Sequence, residues 1–164
     1  MVLSTLHTNS SMGAIPRLID LGAEPFLLSS IINLVIAQRL ARKICPDCKK
    51  ETRATEEVAR EIEAALSELP AEAKGKFKAP YTVYQGQGCQ KCKGKGTVGR
   101  LGLFEIFKMT SQLAQILAKE GLAEGDLFGE AKRQKMITLR QDGVLKALLG
   151  LVAMENVLRE TSEE

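Results

Sequence analysis

All four cysteines of this 164-residue chain fall into two pairs with the same spacing, Cys45-Pro46-Asp47-Cys48 and Cys89-Gln90-Lys91-Cys92. Two intervening residues let one tight turn aim both sulfurs at a single ion about 2.3 Å away, and two such turns complete the tetrahedral thiolate shell that zinc prefers. Glycines at 88, 94 and 96 suit the second turn. Four thiolates around Zn²⁺ leave a formal charge of −2, which Arg42, Lys43, Lys49, Lys50, Lys91, Lys93 and Lys95 would offset. The alternatives are two disulfides or two redox pairs. Disulfides are disfavoured in a chain with no export signal, and redox pairs ordinarily open a helix of a thioredoxin-like unit, whose pattern is not found. A closed four-sulfur shell leaves no open position for water, so the ion is expected to be structural. It would staple a long helix to the strand that follows Gly96.

His7 is the only histidine, so any Ser-His-Asp or Cys-His chemistry would have to use it. A lone histidine near a strand end is more often structural than catalytic. Its setting, Ser4-Thr5-Leu6-His7-Thr8-Asn9, nevertheless gathers hydroxyls, an imidazole and an amide where open α/β sheets place ligands, which suits a phosphate sensor. Gly94-Lys95-Gly96-Thr97 is not a phosphate loop, because no stretch of the chain has a glycine, four residues and then Gly-Lys-Ser/Thr. No acidic residue closes an apolar strand to hold Mg²⁺, so the chain alone lacks the parts that activate a nucleoside triphosphate. One C-x-x-C-x-G-x-G unit, residues 89–96, also fits a module of heat-shock chaperones, which repeat it four times.

The elements that must carry these residues follow from periodicity. Residues 2–6 read as a short strand that begins with nothing before it, as in a truncated domain. Ala14, Ile15, Leu18, Ile19 and Leu21 recur at helical spacing, with polar residues 9–11 before them and Gly22 as a stop. Pro25 opens a helix expected to run to about Lys43 and to be buried on most sides. Thr55 caps a helix whose Val58, Ile62, Ala65, Leu66 and Leu69 share one face, ended by Pro70. A polar link over 71–80 leads to a short strand at 81–84 and a second β segment at 98–107. Three helices complete the chain, at 111–119, 125–143 with breaks, and 144–159.

The apolar fraction is 45% and charged residues make up 26%, ordinary for a globular chain with a core. With two Tyr, five Phe and no Trp, few rings are present to stack on bases or line a carbohydrate groove. A net charge of +3 is too near balance to imply nucleic acid or an anionic membrane as the main partner. The charge is local: residues 38–50 hold five basic residues and one acid, and residues 85–100 hold four basic residues and no acid. The most apolar stretch, 26–37, is well short of the roughly 20 residues a membrane span needs. Without a signal sequence the chain reads as cytoplasmic.

Several runs in order, Leu3-Ser4-Thr5-Leu6-His7-Thr8-Asn9, Gly13-Ala14-Ile15-Pro16-Arg17-Leu18 and Ala37-Gln38-Arg39-Leu40 before Cys45, resemble the secretion ATPases of type II secretion and type IV pilus assembly. Gly88-Cys89-Gln90-Lys91-Cys92, Gly99-Arg100-Leu101-Gly102-Leu103-Phe104-Glu105 and Met136-Ile137-Thr138-Leu139-Arg140-Gln141-Asp142-Gly143 resemble the rest of that family's carboxy-terminal third. The resemblance implies an α/β fragment, mainly helical: the end of a RecA-like P-loop core over 1–44, a four-cysteine zinc subdomain with a helical arm over 45–97, and a strand with a helical bundle over 98–164. It implies that Thr5, His7 and Thr8 belong to the family's His box, near the γ-phosphate, that Cys45, Cys48, Cys89 and Cys92 hold zinc, and that Arg100 lies close to nucleotide. It further implies a homo-hexameric motor that uses ATP and Mg²⁺ and works with platform components at the inner membrane, without direct nucleic-acid contact. The family's Walker A and Walker B precede the His box and are absent from this sequence, so the isolated chain is expected to be inactive. Lys135 stands where a glycine usually precedes the Met-x-Thr-Leu run, and Leu151-Val152-Ala153-Met154-Glu155-Asn156 replaces a stretch richer in threonine and glutamate. The rival reading is a stand-alone zinc ribbon that binds nucleic acid or an unfolded client through its basic face.

Overall fold

The computed structural model describes residues 2–69, 74, 77–119 and 121–162. Among these the order is α1 (Ala14–Asp20), α2 (Pro25–Ile31), β1 (Leu34–Ile44), β2 (Lys49–Arg53), α3 (Glu56–Ser67), β3 (Thr82–Gly86), β4 (Thr97–Lys108), α4 (Ser111–Leu117), α5 (Glu124–Arg133), α6 (Leu139–Leu148) and α7 (Met154–Glu160). The mixed α/β class that the resemblance implied is present. β1 pairs with β4, and β2 with β3, in two two-stranded sheets. The chain forms two compact units, Met1–Ala37 with Glu105–Met136 and Gln38–Phe104 with Ile137–Glu164.

Three expectations fail. Residues 2–7 form no strand: Val2 and Leu3 are almost fully exposed, and a strand needs a neighbour to satisfy its backbone. The helix opened by Pro25 ends at Ile31, and the expected continuation is β1. Residues 37–43 are good helix formers, but Val35, Ile36 and Ile44 suit a strand, and pairing with β4 outweighs local propensity. The helix expected over 144–159 does not form as one: α6 already starts at Leu139, and the left-handed Gly150 (φ 68°) separates it from α7. The stop at Pro70 and most of the link over 71–80 lie outside the described residues.

In the first unit, Ile15 of α1, Leu28 of α2, Phe107 of β4, Leu113 and Leu117 of α4, and Leu127 and Ala131 of α5 form one buried cluster. Thr110 caps α4 by accepting a hydrogen bond from the Leu113 amide at 3.1 Å. The same Thr110 hydroxyl donates to Glu130 at 2.5 Å, and Glu130 also accepts from Arg133 Nε at 2.6 Å and from Gln134 at 2.8 Å. Gln134 in turn donates to the Lys108 carbonyl at 2.9 Å, so one buried carboxylate ties α5 to the start of α4 and the end of β4. The Arg133 hydrogen bond holds the Glu130 carboxyl at about 2; burial opposes this, and Thr110 and Gln134 reinforce it.

In the second unit, α3 lies as its periodicity predicts, with Thr55 accepting from Val58 and Ile62, Ala65, Leu66 and Leu69 buried. Gly143 lets α6 and α7 pack closely, since a Cβ there would meet Val157 Cγ1 at 2.5 Å. Two of the sequence runs meet here. Asp142 accepts from the Phe104 amide at 2.8 Å, and Lys146, paired with Asp142, donates to the Gly102 carbonyl at 2.8 Å. The region expected to break within 125–143 does so at Lys135, whose φ of 55° ends α5, while Thr138 and Gln141 form a capping box that starts α6.

Two predictions follow from these contacts. Lys135→Gly relieves a left-handed backbone strain larger than the chain entropy glycine adds, and denaturant unfolding should show a gain of about 0.5–1 kcal/mol. Glu130 has a folded pKa below its unfolded value, so its contribution is present above about pH 4.5 and is lost as pH falls toward 2. Glu130→Gln should therefore cost about 2–3 kcal/mol at pH 7, with the gap from the parent closing between pH 4.5 and 2 in thermal melts.

Candidate metal centre

The four cysteines sit where two strand ladders converge. β1 ends at Ile44, so Cys45 is the next residue, and β2 starts at Lys49, directly after Cys48. β2 pairs antiparallel with β3 in a register that sets Lys49 opposite Gly86, and the Gln87 amide extends the ladder to the Cys48 carbonyl at 3.0 Å. On the other side the Cys45 amide donates to the Gly96 carbonyl at 2.9 Å, just before β4 begins. Each ladder thus draws one end of the 89–92 turn onto the 45–48 turn. The approach requires glycine: a Cβ at Gly86 would lie 1.9 Å from the Gly96 carbonyl oxygen.

All four cysteines are free thiols, and all four Sγ atoms lie within 4.8 Å of one another. Cys45 and Cys89 are 3.9 Å apart, Cys48 and Cys92 are 3.9 Å apart, and Cys89 and Cys92 are 3.7 Å apart. These separations match the edge of about 3.8 Å in a tetrahedron with metal–sulfur bonds of about 2.3 Å, and are far longer than a disulfide bond. The group can hold a metal ion.

Charge at the site is uneven. Burial raises the Cys92 thiol, but amides of Cys89 at 3.1 Å and Gly96 at 3.2 Å donate to its sulfur and, with the Cys89 and Cys48 thiols, bring it down to about 6. Burial, together with the thiols of Cys92, Cys45 and Cys89, pushes Cys48 up to about 12 against a backbone hydrogen bond with Gly88. Of the basic residues expected to offset sulfur charge, Lys91 pairs with Asp47 and so links the two turns. Its hydrogen bond to Asp47 raises the Lys91 pKa. Lys49 reaches the Gly150 carbonyl at 3.4 Å and lies over the Tyr84 ring.

Residues 1–159 match the family described as Type II/IV secretion system protein. The chain belongs to this family. It is 42% identical over its whole length to type II secretion system protein E of Pseudomonas aeruginosa, of which it covers 30%. It is 41% identical to the type IV pilus assembly ATPase PilB of the same organism, covering 27% of it, and 37% identical to type II secretion system ATPase E of Vibrio cholerae, covering 30%. The chain therefore spans about three-tenths of the length of these relatives. The family match does not favour a stand-alone zinc ribbon.

Other residues singled out by the sequence are placed as follows. Thr5 and His7 are exposed on the irregular segment before α1, and the half-buried Thr8 donates to the Ser10 carbonyl at 3.0 Å. These three belong to the first unit, whereas Arg100 is exposed on the β4 portion assigned to the second. Among the described residues no helix is long and apolar enough to cross a membrane. Sequence reasoning gave no role to Glu105, a buried acid in β4 that accepts from Ser11. A lone carboxylate inside an apolar strand was the available signal.

Elemental analysis of the purified, reduced chain should find one metal ion bound, and Cys45→Ser or Cys92→Ser should remove it. Because the ligating sulfurs must lose their protons, uptake should weaken steeply as pH falls from about 8 to 5, read by metal retention after dialysis.

Proposed function

We propose that this chain is the carboxy-terminal portion of a hexameric ATPase motor subunit that powers type II protein secretion or type IV pilus assembly. The observation that carries the reading is identity of about 40% across the whole chain to relatives named for those two machines. In it, residues 1–44 close a RecA-like core, 45–97 form the zinc subdomain, and 98–164 add a strand and the final helices. The remainder of the motor supplies Walker A and Walker B, ATP and Mg²⁺, and the subunit works on the cytoplasmic side of the inner membrane with the platform of its machine.

His7, Thr5 and Thr8 form the nucleotide-sensing group. The exposed His7 imidazole and Thr5 hydroxyl provide donors for phosphate oxygens, Thr8 holds the turn beside them through the Ser10 carbonyl, and Arg100, exposed on β4, is a separate nucleotide-vicinity residue. Cys45, Cys48, Cys89 and Cys92 hold zinc, which supplies rigidity here and no reaction chemistry, since four thiolates leave it no open position. Sulfur-only donors and near-tetrahedral spacing support zinc over harder cations. The subdomain moves as one piece, so a shift of the core at His7 is carried outward to a neighbouring subunit or platform protein.

A chimera tests this reading: the 165 aligned residues of the Pseudomonas aeruginosa type II secretion system protein E are replaced by this chain. The chimera should hydrolyse ATP while the isolated chain does not, and His7→Ala should lower kcat by about tenfold to a hundredfold with metal content unchanged. Equal turnover with and without His7 would remove the sensing role.

A further inference from the structure

We infer that Glu105 is a positioning residue whose buried carboxylate anchors the turn after His7 to β4 and so sets the point from which the segment bearing Thr5, His7 and Thr8 departs. Its functional meaning rests on the proposed role of His7 in nucleotide sensing. Ser11 is fully buried and Glu105 is 4% exposed. One carboxylate oxygen, Glu105 Oε1, accepts both from the Ser11 amide at 2.8 Å and from the Ser11 hydroxyl at 2.7 Å. Charge-assisted bonds of this length, shielded from water, are among the stronger ones a protein makes.

The turn beyond this anchor is stiffened locally. Ser10 Oγ accepts from the Gly13 amide at 3.1 Å, and Thr8 Oγ1 donates to the Ser10 carbonyl at 3.0 Å, so the hydrogen bonds run without a gap from Thr8 to α1. On the other side of Thr8, residues 2–5 are exposed and form no regular structure. The segment carrying His7 thus leaves a fixed point at Ser11, and Glu105 sets that point. A nucleotide that displaced His7 would act against the Ser11–Glu105 contact, and through it on β4.

His7 is the only histidine, so its imidazole signals in the proton NMR spectrum of this chain need no assignment. Glu105→Ala should shift those signals and reduce Ser11 amide exchange protection about tenfold or more. Glu105→Gln, whose amide oxygen can still accept both bonds, should restore them. Glu130→Gln removes charge from another buried carboxylate of the same unit, whose hydrogen bonds go to Thr110, Arg133 and Gln134, and should leave the His7 signals in place. If Glu105→Ala does not fold, Ser11→Ala should move the same signals in the same direction by a smaller amount. The inference is overturned if Glu105→Ala, or Ser11→Ala in its place, leaves His7 and the exchange of residues 8–13 no more altered than Glu130→Gln does. These readouts need no nucleotide, so a failure of the sensing role in the chimera would leave them standing, and their failure would leave the sensing role untouched.

Discussion

Convergence of four sulfurs at the meeting point of two short ladders is the constraint on which the second unit depends. Neither ladder exceeds two strands, and an isolated two-stranded ribbon is marginal in water. β2 and β3 span only five residues each. Closure of the 45–48 and 89–92 turns on each other fixes both ladders at one end, and the backbone contacts between Gly86 and Gly96 leave no slack for a shifted register. All four donors at the junction are sulfurs, and they lie where the two ladders meet.

Buried carboxylates do comparable work in the first unit. Glu130 gathers Thr110, Arg133 and Gln134, and Glu105 gathers the amide and hydroxyl of Ser11. Each is an acid removed from water and compensated by directed donors, a combination that specifies geometry where aliphatic packing alone would tolerate sliding. The helices here are short, seven to ten residues, so their positions depend on such anchors and on the cluster around Phe107 more than on intrinsic helicity.

The legible parts of the fold were those with a local cause. Thr55 and the apolar face of α3 announced that helix, Gly22 announced the end of α1, and β-type residues from 98 to 107 announced β4. The errors came from segments whose fate depends on a distant partner. Residues 34–44 contain a run of good helix formers, and pairing with β4, with a bridge from Lys43 to Val152 at the end, makes them a strand. Residues 2–6 have strand composition and no strand beside them. The end of α5 was legible only as a break somewhere within 125–143, and the sign of the left-handed backbone at Lys135 was the glycine that usually stands there.

By itself the sequence determined the sulfur donors of the candidate metal centre and the family, since the thiol spacing and the ordered runs are properties of the chain and survive any rearrangement of its elements. Tertiary structure alone decided which strands those turns join, how Asp142 and Lys146 grip the 102–104 stretch, and that Glu105 meets Ser11 across 94 residues of sequence. Spacing along a chain reports what one turn can do. A contact between distant residues exists only after the strands between them have chosen partners, and that choice is a competition over the whole molecule.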